Sequence, residues 1–147
     1  VRALVLAGSP TPTAEDLAQE AFARTFRHWR RVRQGTNPPG YVYRVAFRLL
    51  HKRGALPTTP LDDAALPTAG PEDAAVSRAD LEDALRAMPP RRRACAVLWF
   101  ALGLTPTEAA EALRIAPGTV RKQLELARAA LRLRLADQSG RPTAGGS

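Results

Sequence analysis

Side chains able to carry covalent or metal chemistry are sparse in this 147-residue chain and do not assemble. His28 and His51 have no Cys pair, no His-x-x-x-His spacing and no clustered carboxylate beside them, so no metal site is expected. Cys95 is the only cysteine and sits in the run Ala94-Cys95-Ala96-Val97-Leu98. That setting suits a buried structural thiol and offers no base to activate a nucleophile. Glu15 and Asp16 are adjacent, so they diverge on a helix and form no catalytic pair. Asp62-Asp63 lies in a Pro-rich stretch, where it serves solubility. No Gly-rich phosphate loop is present. These absences predict a protein that is not an enzyme and has no cofactor.

The chemistry that the composition does favour is contact with a polyanion. The formal net charge is +8, carried mainly by Arg, which suits phosphate. The cations concentrate in two places. Arg44, Arg48, Lys52 and Arg53 alternate with Tyr41, Tyr43 and Phe47, a mixture suited to a single or distorted strand whose bases stack on rings. Thr119, Arg121, Lys122 and Gln123 point away from the apolar stripe Val120/Leu124/Ala127/Leu131/Leu135 of one helix.

That stripe belongs to the segment Leu104–Leu135, which positions the second group. Thr105 is a good N-cap, Pro106 suits the first helical position, and Glu108 completes a capping box. Ala109, Ala110 and Leu113 share a face. After the short connection Ile115-Ala116, Pro117 starts a second helix. Two helices so closely joined, the second basic outside, look like a helix-turn-helix whose second helix enters the major groove.

The first group rests on the N-terminal half. Residues Val1–Pro12 read as a short apolar start followed by a loop. Thr13–Val32 reads as a helix capped by Thr13, with Leu17, Ala21, Phe22, Phe26 and Trp29 inward. Asp16, Gln19 and Glu20 fall in its acidic start, and Arg24, Arg27, Arg30, Arg31 and Arg33 in its basic end, partly as the macrodipole favours. A helix over Tyr41–Lys52 follows the loop Gln34–Gly40, with Val42, Val45, Ala46 and Leu49 inward and Phe47 more outward. Ser77–Ala87 and Arg91–Leu102 are further helices, the latter ended by Gly103. The expected fold class is all-α: two small helical domains, 13–53 and 77–136, joined by a Pro-rich flexible linker, 54–76, with a disordered tail, 137–147. No apolar run approaches the roughly 20 residues of a membrane span. Val1–Gly8 is too short for a signal peptide, so a cytoplasmic protein follows by elimination.

Two blocks then carry a family resemblance. The run Ala14-Glu15-Asp16-Leu17-Ala18-Gln19-Glu20-Ala21-Phe22-Ala23-Arg24-Thr25-Phe26-Arg27, followed by Tyr41-Val42-Tyr43-Arg44-Val45-Ala46, resembles region 2 of bacterial RNA polymerase sigma factors of the extracytoplasmic-function type. The run Leu81-Glu82-Asp83-Ala84-Leu85-Arg86-Ala87-Met88-Pro89-Pro90-Arg91-Arg92-Arg93, with Gly103–Leu113 and Pro117-Gly118-Thr119-Val120-Arg121, resembles region 4. The resemblance implies a transcription initiation factor that directs core polymerase to promoters. Region 2 would meet the polymerase through Asp16, Gln19 and Glu20. It would open and hold the -10 element with Trp29, Arg44, Arg48, Lys52 and Arg53. Region 4 would read the -35 element with Thr119, Arg121, Lys122 and Gln123. RNA polymerase core and promoter DNA are thus implied partners, and an anti-sigma protein a further one.

Departures from the family pattern keep two alternatives open. The usual helix before the Asp16 block is not expected from so short an N-terminus. Ala46-Phe47-Arg48 replaces an Ala-Arg-Asn run. Ala116 stands where a Ser cap is usual, which costs about 1 kcal/mol of helix stability. Glu125 opposes phosphate. Leu126, Ala130 and Leu133 form a second apolar stripe suited to a protein partner. These features suit a degenerate sigma-like interaction factor, and the helix-turn-helix alone would suit a stand-alone DNA-binding regulator.

Overall fold

The computed structural model describes residues 1–54 and 78–139. Among the described residues all regular structure is helical, in agreement with an all-α fold. The order is α1 (Arg2–Leu6), α2 (Thr11–Arg27), α3 (Trp29–Val32), α4 (Pro38–Lys52), α5 (Arg78–Arg86), α6 (Pro90–Ala96), a π-helical turn (Val97–Ala101), α7 (Pro106–Leu113) and α8 (Pro117–Ser139). Residues 55–76 of the expected linker and 140–147 of the expected tail lie outside the described residues. Residues 137–139, assigned to the tail, continue α8.

The N-terminal residues depart from expectation. In place of an apolar start and a loop, they form α1, whose Leu4 is buried and whose C-cap Ala7 is buried too. Helix α2 begins at Thr11 behind Pro10, so Thr13 is already inside it and caps nothing. Its inward face also differs. Ala14, Leu17, Ala21 and Thr25 are buried, whereas Phe22 and Phe26 are 63 % and 78 % exposed. Spacings of three, four and four residues make a stripe equally good for a helix. Ala14, Ala21 and Thr25 of this stripe are small, Leu17 is not, and the stripe packs against α4. The Thr25 hydroxyl is satisfied by donating to the Ala21 carbonyl at 2.7 Å. The helix breaks at His28, so Trp29 belongs to the separate turn α3 and is 46 % exposed.

Helix α4 starts earlier than the periodicity suggests because Asn37 caps it, its Oδ1 accepting from the Gly40 amide at 2.9 Å. A Cβ at Gly40 would stand 2.7 Å from Asn37 Cγ, so the cap and a larger side chain exclude one another. Phe47, expected outward, is wholly buried with Ala46, Leu49 and Leu50. The reason is tertiary: α4 is packed by α1, α2 and α7, so more of its circumference is covered than one apolar stripe requires.

In the C-terminal half the capping box of α7 is formed. Glu108 N donates to Thr105 Oγ1 at 3.2 Å, and Thr105 N donates to Glu108 Oε2 at 2.9 Å. Gly103, at φ +66°, ends the preceding helix. Arg114 takes the left-handed C-cap of α7 at φ 53°, ψ 46°. It is the sole non-Gly residue at positive φ among the described residues. Gly or Asn is the usual occupant there, and a larger residue costs roughly 1–2 kcal/mol. Helix α8 packs on α5, α6 and α7, burying Val120, Leu124 and Ala127 as expected. Leu126 is also buried, so the second stripe is not an exposed surface at that position. Leu133 remains 48 % exposed.

One apolar cluster runs through both halves, joining Leu4, Leu17, Phe47 and Leu50 to Leu85, Leu98, Leu113 and Leu124. Cys95 lies within it, wholly buried. Burial pushes its thiol from an ordinary 9.0 up to about 12, against a smaller opposing pull from Arg91 and a backbone hydrogen bond.

Phe47→Ala is expected to cost about 3–5 kcal/mol in denaturant unfolding, the usual loss for a fully buried ring. Gly40→Ala is expected to cost about 1 kcal/mol through loss of the Asn37 cap. The Cys95 thiol is expected to resist an aromatic disulfide reagent in the native chain and react fully once unfolded. Its stabilising contribution is complete below pH 9.0 and is lost as pH climbs through about 12, because only the unfolded thiol ionises in that interval.

Candidate nucleic-acid interface

The basic residues of the N-terminal half gather along one side of α4, and that side meets the helix-turn-helix. Arg44 Nη1 lies 2.8 Å from Glu111 Oε2 on α7, and Arg48 Nη2 donates to the Glu111 backbone carbonyl at 3.5 Å. Arg44 also stands over the Tyr41 ring, 5.7 Å from its centroid. One acidic residue of α7 therefore engages two cations assigned to DNA. Glu111 lies on the outer side of α7, opposite the buried Ala109, Ala112 and Leu113. An acid on an outward helix position has no signal of its own, which is why the sequence did not single it out.

Lys52 and Arg53 are exposed at the end of α4. Arg53 Nη2 reaches Glu20 Oε2 at 3.5 Å, while Glu20 Oε1 accepts from Arg24 Nη2 at 2.5 Å. Glu20 thus joins α2 to the end of α4. Asp16 and Gln19 are exposed on the same side of α2, as their spacing to Glu20 and Ala23 requires. The three residues assigned to polymerase contact are together on one face, with Glu20 already paired.

Two of the concavities that flank α4 bear on these residues. One, of 680 Å³, is lined by Arg24, Arg27, His28, Tyr41, Arg48, His51, Lys52 and, from the end of α7, Arg114. The other, of 470 Å³, is apolar and lies between α2, α3 and the start of α4, with Phe22, Phe26, Trp29, Pro38, Val42 and Tyr43. Trp29 belongs to this apolar cleft, apart from Arg44 and Arg48. Arg27, Tyr41 and Arg114 were not assigned to the site from sequence. The sequence places Arg27 in a basic helix end that the macrodipole explains only in part, and Tyr41 among the rings that alternate with the α4 cations.

In α8, Thr119 is half-buried and Arg121 and Lys122 are exposed. Gln123 is the correction here: it is 1 % exposed, with Oε1 accepting from Arg92 Nε of α6 at 3.4 Å. It lies one position before Leu124 and three before Leu126, on the flank where α6 packs. It is therefore a buried polar link and presents nothing to a groove. Among the described residues, no group of three or more His, Cys, Asp or Glu is placed to hold a metal ion. No described helix is long and apolar enough to cross a membrane.

Comparison with known proteins matches these two halves separately. Residues 2–53 match sigma-70 region 2, and residues 78–131 match sigma-70 region 4. The chain belongs to the sigma-70 family, with that family's regions 2 and 4, and directs RNA polymerase to promoters. Among solved structures, it is similar to the sigma factor RpoE from Bartonella quintana, determined in complex with the anti-sigma factor NepR. That chain shares 19 % identity over 92 % of this chain and 88 % of its own, with a TM-score of 0.62. No curated protein sequence matches the chain.

Glu111→Gln is expected to loosen the α4–α7 contact and raise affinity for a -10 single strand by about two- to fivefold. The magnitude is small because an ion pair this exposed is worth under about 1 kcal/mol. Fluorescence anisotropy on a labelled oligonucleotide checks it.

Proposed function

We propose that the two regions divide promoter recognition between α4 and α8. Asp16, Gln19 and Glu20 of α2 dock on the polymerase core, acid against a basic surface. Arg44, Arg48, Lys52 and Arg53, with Trp29 at the edge, hold the -10 strand after it opens. Thr119, Arg121 and Lys122 at the start of α8 enter the -35 major groove, without Gln123. On this reading residues 13–53 and 77–136 act as separate modules joined by 54–76, and the protein works in the cytoplasm beside the polymerase. An anti-sigma protein is a further partner, as for the Bartonella relative.

The observation that carries this reading is the gathering of Arg44 and Arg48 on a side of α4 already engaged by an acid from the helix-turn-helix. A surface that a carboxylate and a carbonyl occupy in one arrangement is one that phosphate oxygens occupy in another. DNA loading would then exchange Glu111 for phosphate. The matches to both regions favour this over a stand-alone helix-turn-helix regulator, which has no use for the α2 acidic face. The pairing by Glu111 is what a degenerate interaction factor would also display, and transcription separates the two.

Core polymerase pull-down with the wild-type chain and the double variant Asp16→Ala/Glu20→Ala is the direct test. Loss of capture in the variant, with specific transcripts from the wild type, is the expected result. Capture without transcripts would leave an interaction factor. Arg121→Ala is expected to weaken -35 duplex binding about tenfold and to flatten its salt dependence by close to one counterion, measured by titration at several salt concentrations.

A further inference from the structure

The 680 Å³ cavity brings Arg24 and Arg27 of α2, Arg48 and Lys52 of α4, and Arg114 of α7 around one space, and no carboxylate lines it. Among the described residues Arg27, Lys52 and Arg114 have no acidic partner. Like charges converging on one concavity repel, and the concavity focuses their field. Arg114 adds a separate argument. It occupies the left-handed C-cap where Gly would relieve strain, and at that position it contributes one more cation to the cavity. A strained residue of the wrong shape but the right charge, at the only point where α7 reaches the cavity, is the mark of a ligand clamp. The volume is that of a small-ligand site.

We propose that this cavity binds a compact polyphosphate, free or carried on a nucleoside, and that the anion ties α7 to α2 and α4. Several phosphates are needed because the cations come from three helices and one phosphate reaches only its neighbours. Arginine forks supply paired donors to each phosphate. Bound there, the anion neutralises the repulsion and holds Arg48 and Lys52 away from DNA. That last consequence rests on the reading of α4 as the -10 face; the binding itself does not.

The test is calorimetric titration of the full chain with sodium tripolyphosphate, adenosine triphosphate and sulfate at matched ionic strength. The variants are Arg114→Gly, Arg27→Ala and, for the same charge change outside the cavity, Arg132→Ala. Saturable one-to-one binding of tripolyphosphate or adenosine triphosphate, at least tenfold tighter than sulfate, is expected. Tighter nucleotide binding assigns the esterified source, and equal binding the phosphate chain alone. Arg114→Gly should weaken binding about tenfold while raising Tm by about 2–4 °C through relief of strain. Arg27→Ala should also weaken it, and Arg132→Ala should stay within twofold. Equal losses in Arg132→Ala and Arg114→Gly, or sulfate binding as tightly as tripolyphosphate, would overturn the site as general charge attraction. Unchanged binding in Arg114→Gly and Arg27→Ala would overturn it outright. If Arg114→Gly weakens random duplex DNA and leaves tripolyphosphate untouched, Arg114 is a DNA-backbone contact and the proposal fails. Displacement of a -10 oligonucleotide by tripolyphosphate is measured separately, so failure of the α4 reading does not pass for failure of the anion site.

Discussion

The structure depends on the burial of α4. A helix that carries Ala46, Phe47, Leu49 and Leu50 inward cannot be covered by one neighbour, and it draws α1, α2 and α7 around itself. Burying a ring such as Phe47 contributes roughly 1.5–3 kcal/mol, far more than the exposed ion pairs beside it. The apolar contact therefore sets the approach of α7, and the Arg44–Glu111 pair follows from it. Electrostatics selects which charges face each other across a contact that hydrophobic burial has already made favourable.

This order of causes explains what could and could not be read along the chain. Features that depend on a single helix were legible. The Thr105–Glu108 box, the Gly103 stop and the Val120/Leu124/Ala127 stripe follow from residues within one or two turns of each other. Features that depend on a distant neighbour were not. Leu17 and Ala21 of α2 are buried as their period suggests, but Phe22 and Phe26, core-like by hydrophobicity, are exposed, and Ala14 and Thr25 complete the buried face where α4 packs. Phe47 and Gln123 look outward in isolation, and each is covered by a helix from elsewhere in the chain. The start of α1 was missed because a five-residue helix has too few turns to show a period, and only packing stabilises it. The cationic side of α4 was legible as composition, but its engagement by Glu111 was not, because the acid lies far along the sequence.

On the proposed reading, Glu20 would couple the two surfaces of the N-terminal half. Its carboxylate is shared between Arg24, one turn on, and Arg53 at the far end of α4. A carboxylate has four acceptor sites, so it can serve two arginines and still face a third cation. If a basic polymerase surface draws it, the attraction for Arg53 weakens, and that guanidinium becomes available to phosphate. Core binding and strand binding would then favour each other through one shared carboxylate. The size of this coupling is bounded by exposure: both arginines are about half exposed, and such pairs are worth little individually.

Arg114 sets the limit on how the closed arrangement should be understood. If contact between the halves were only a matter of apolar burial, the C-cap of α7 would be best served by Gly, which adopts φ 53° without penalty. An arginine there makes the fold less stable and adds positive charge to a cavity that already holds Arg24, Arg27, Arg48 and Lys52. The charge opposes the empty arrangement and is the part that a multivalent anion would neutralise; the backbone strain stays with or without it. An arrangement that is poorer alone than it need be, and better with a ligand, has an equilibrium that the ligand can move. On the proposal above, the same residues would make this arrangement responsive to a polyphosphate and easier to open for DNA when that anion is absent.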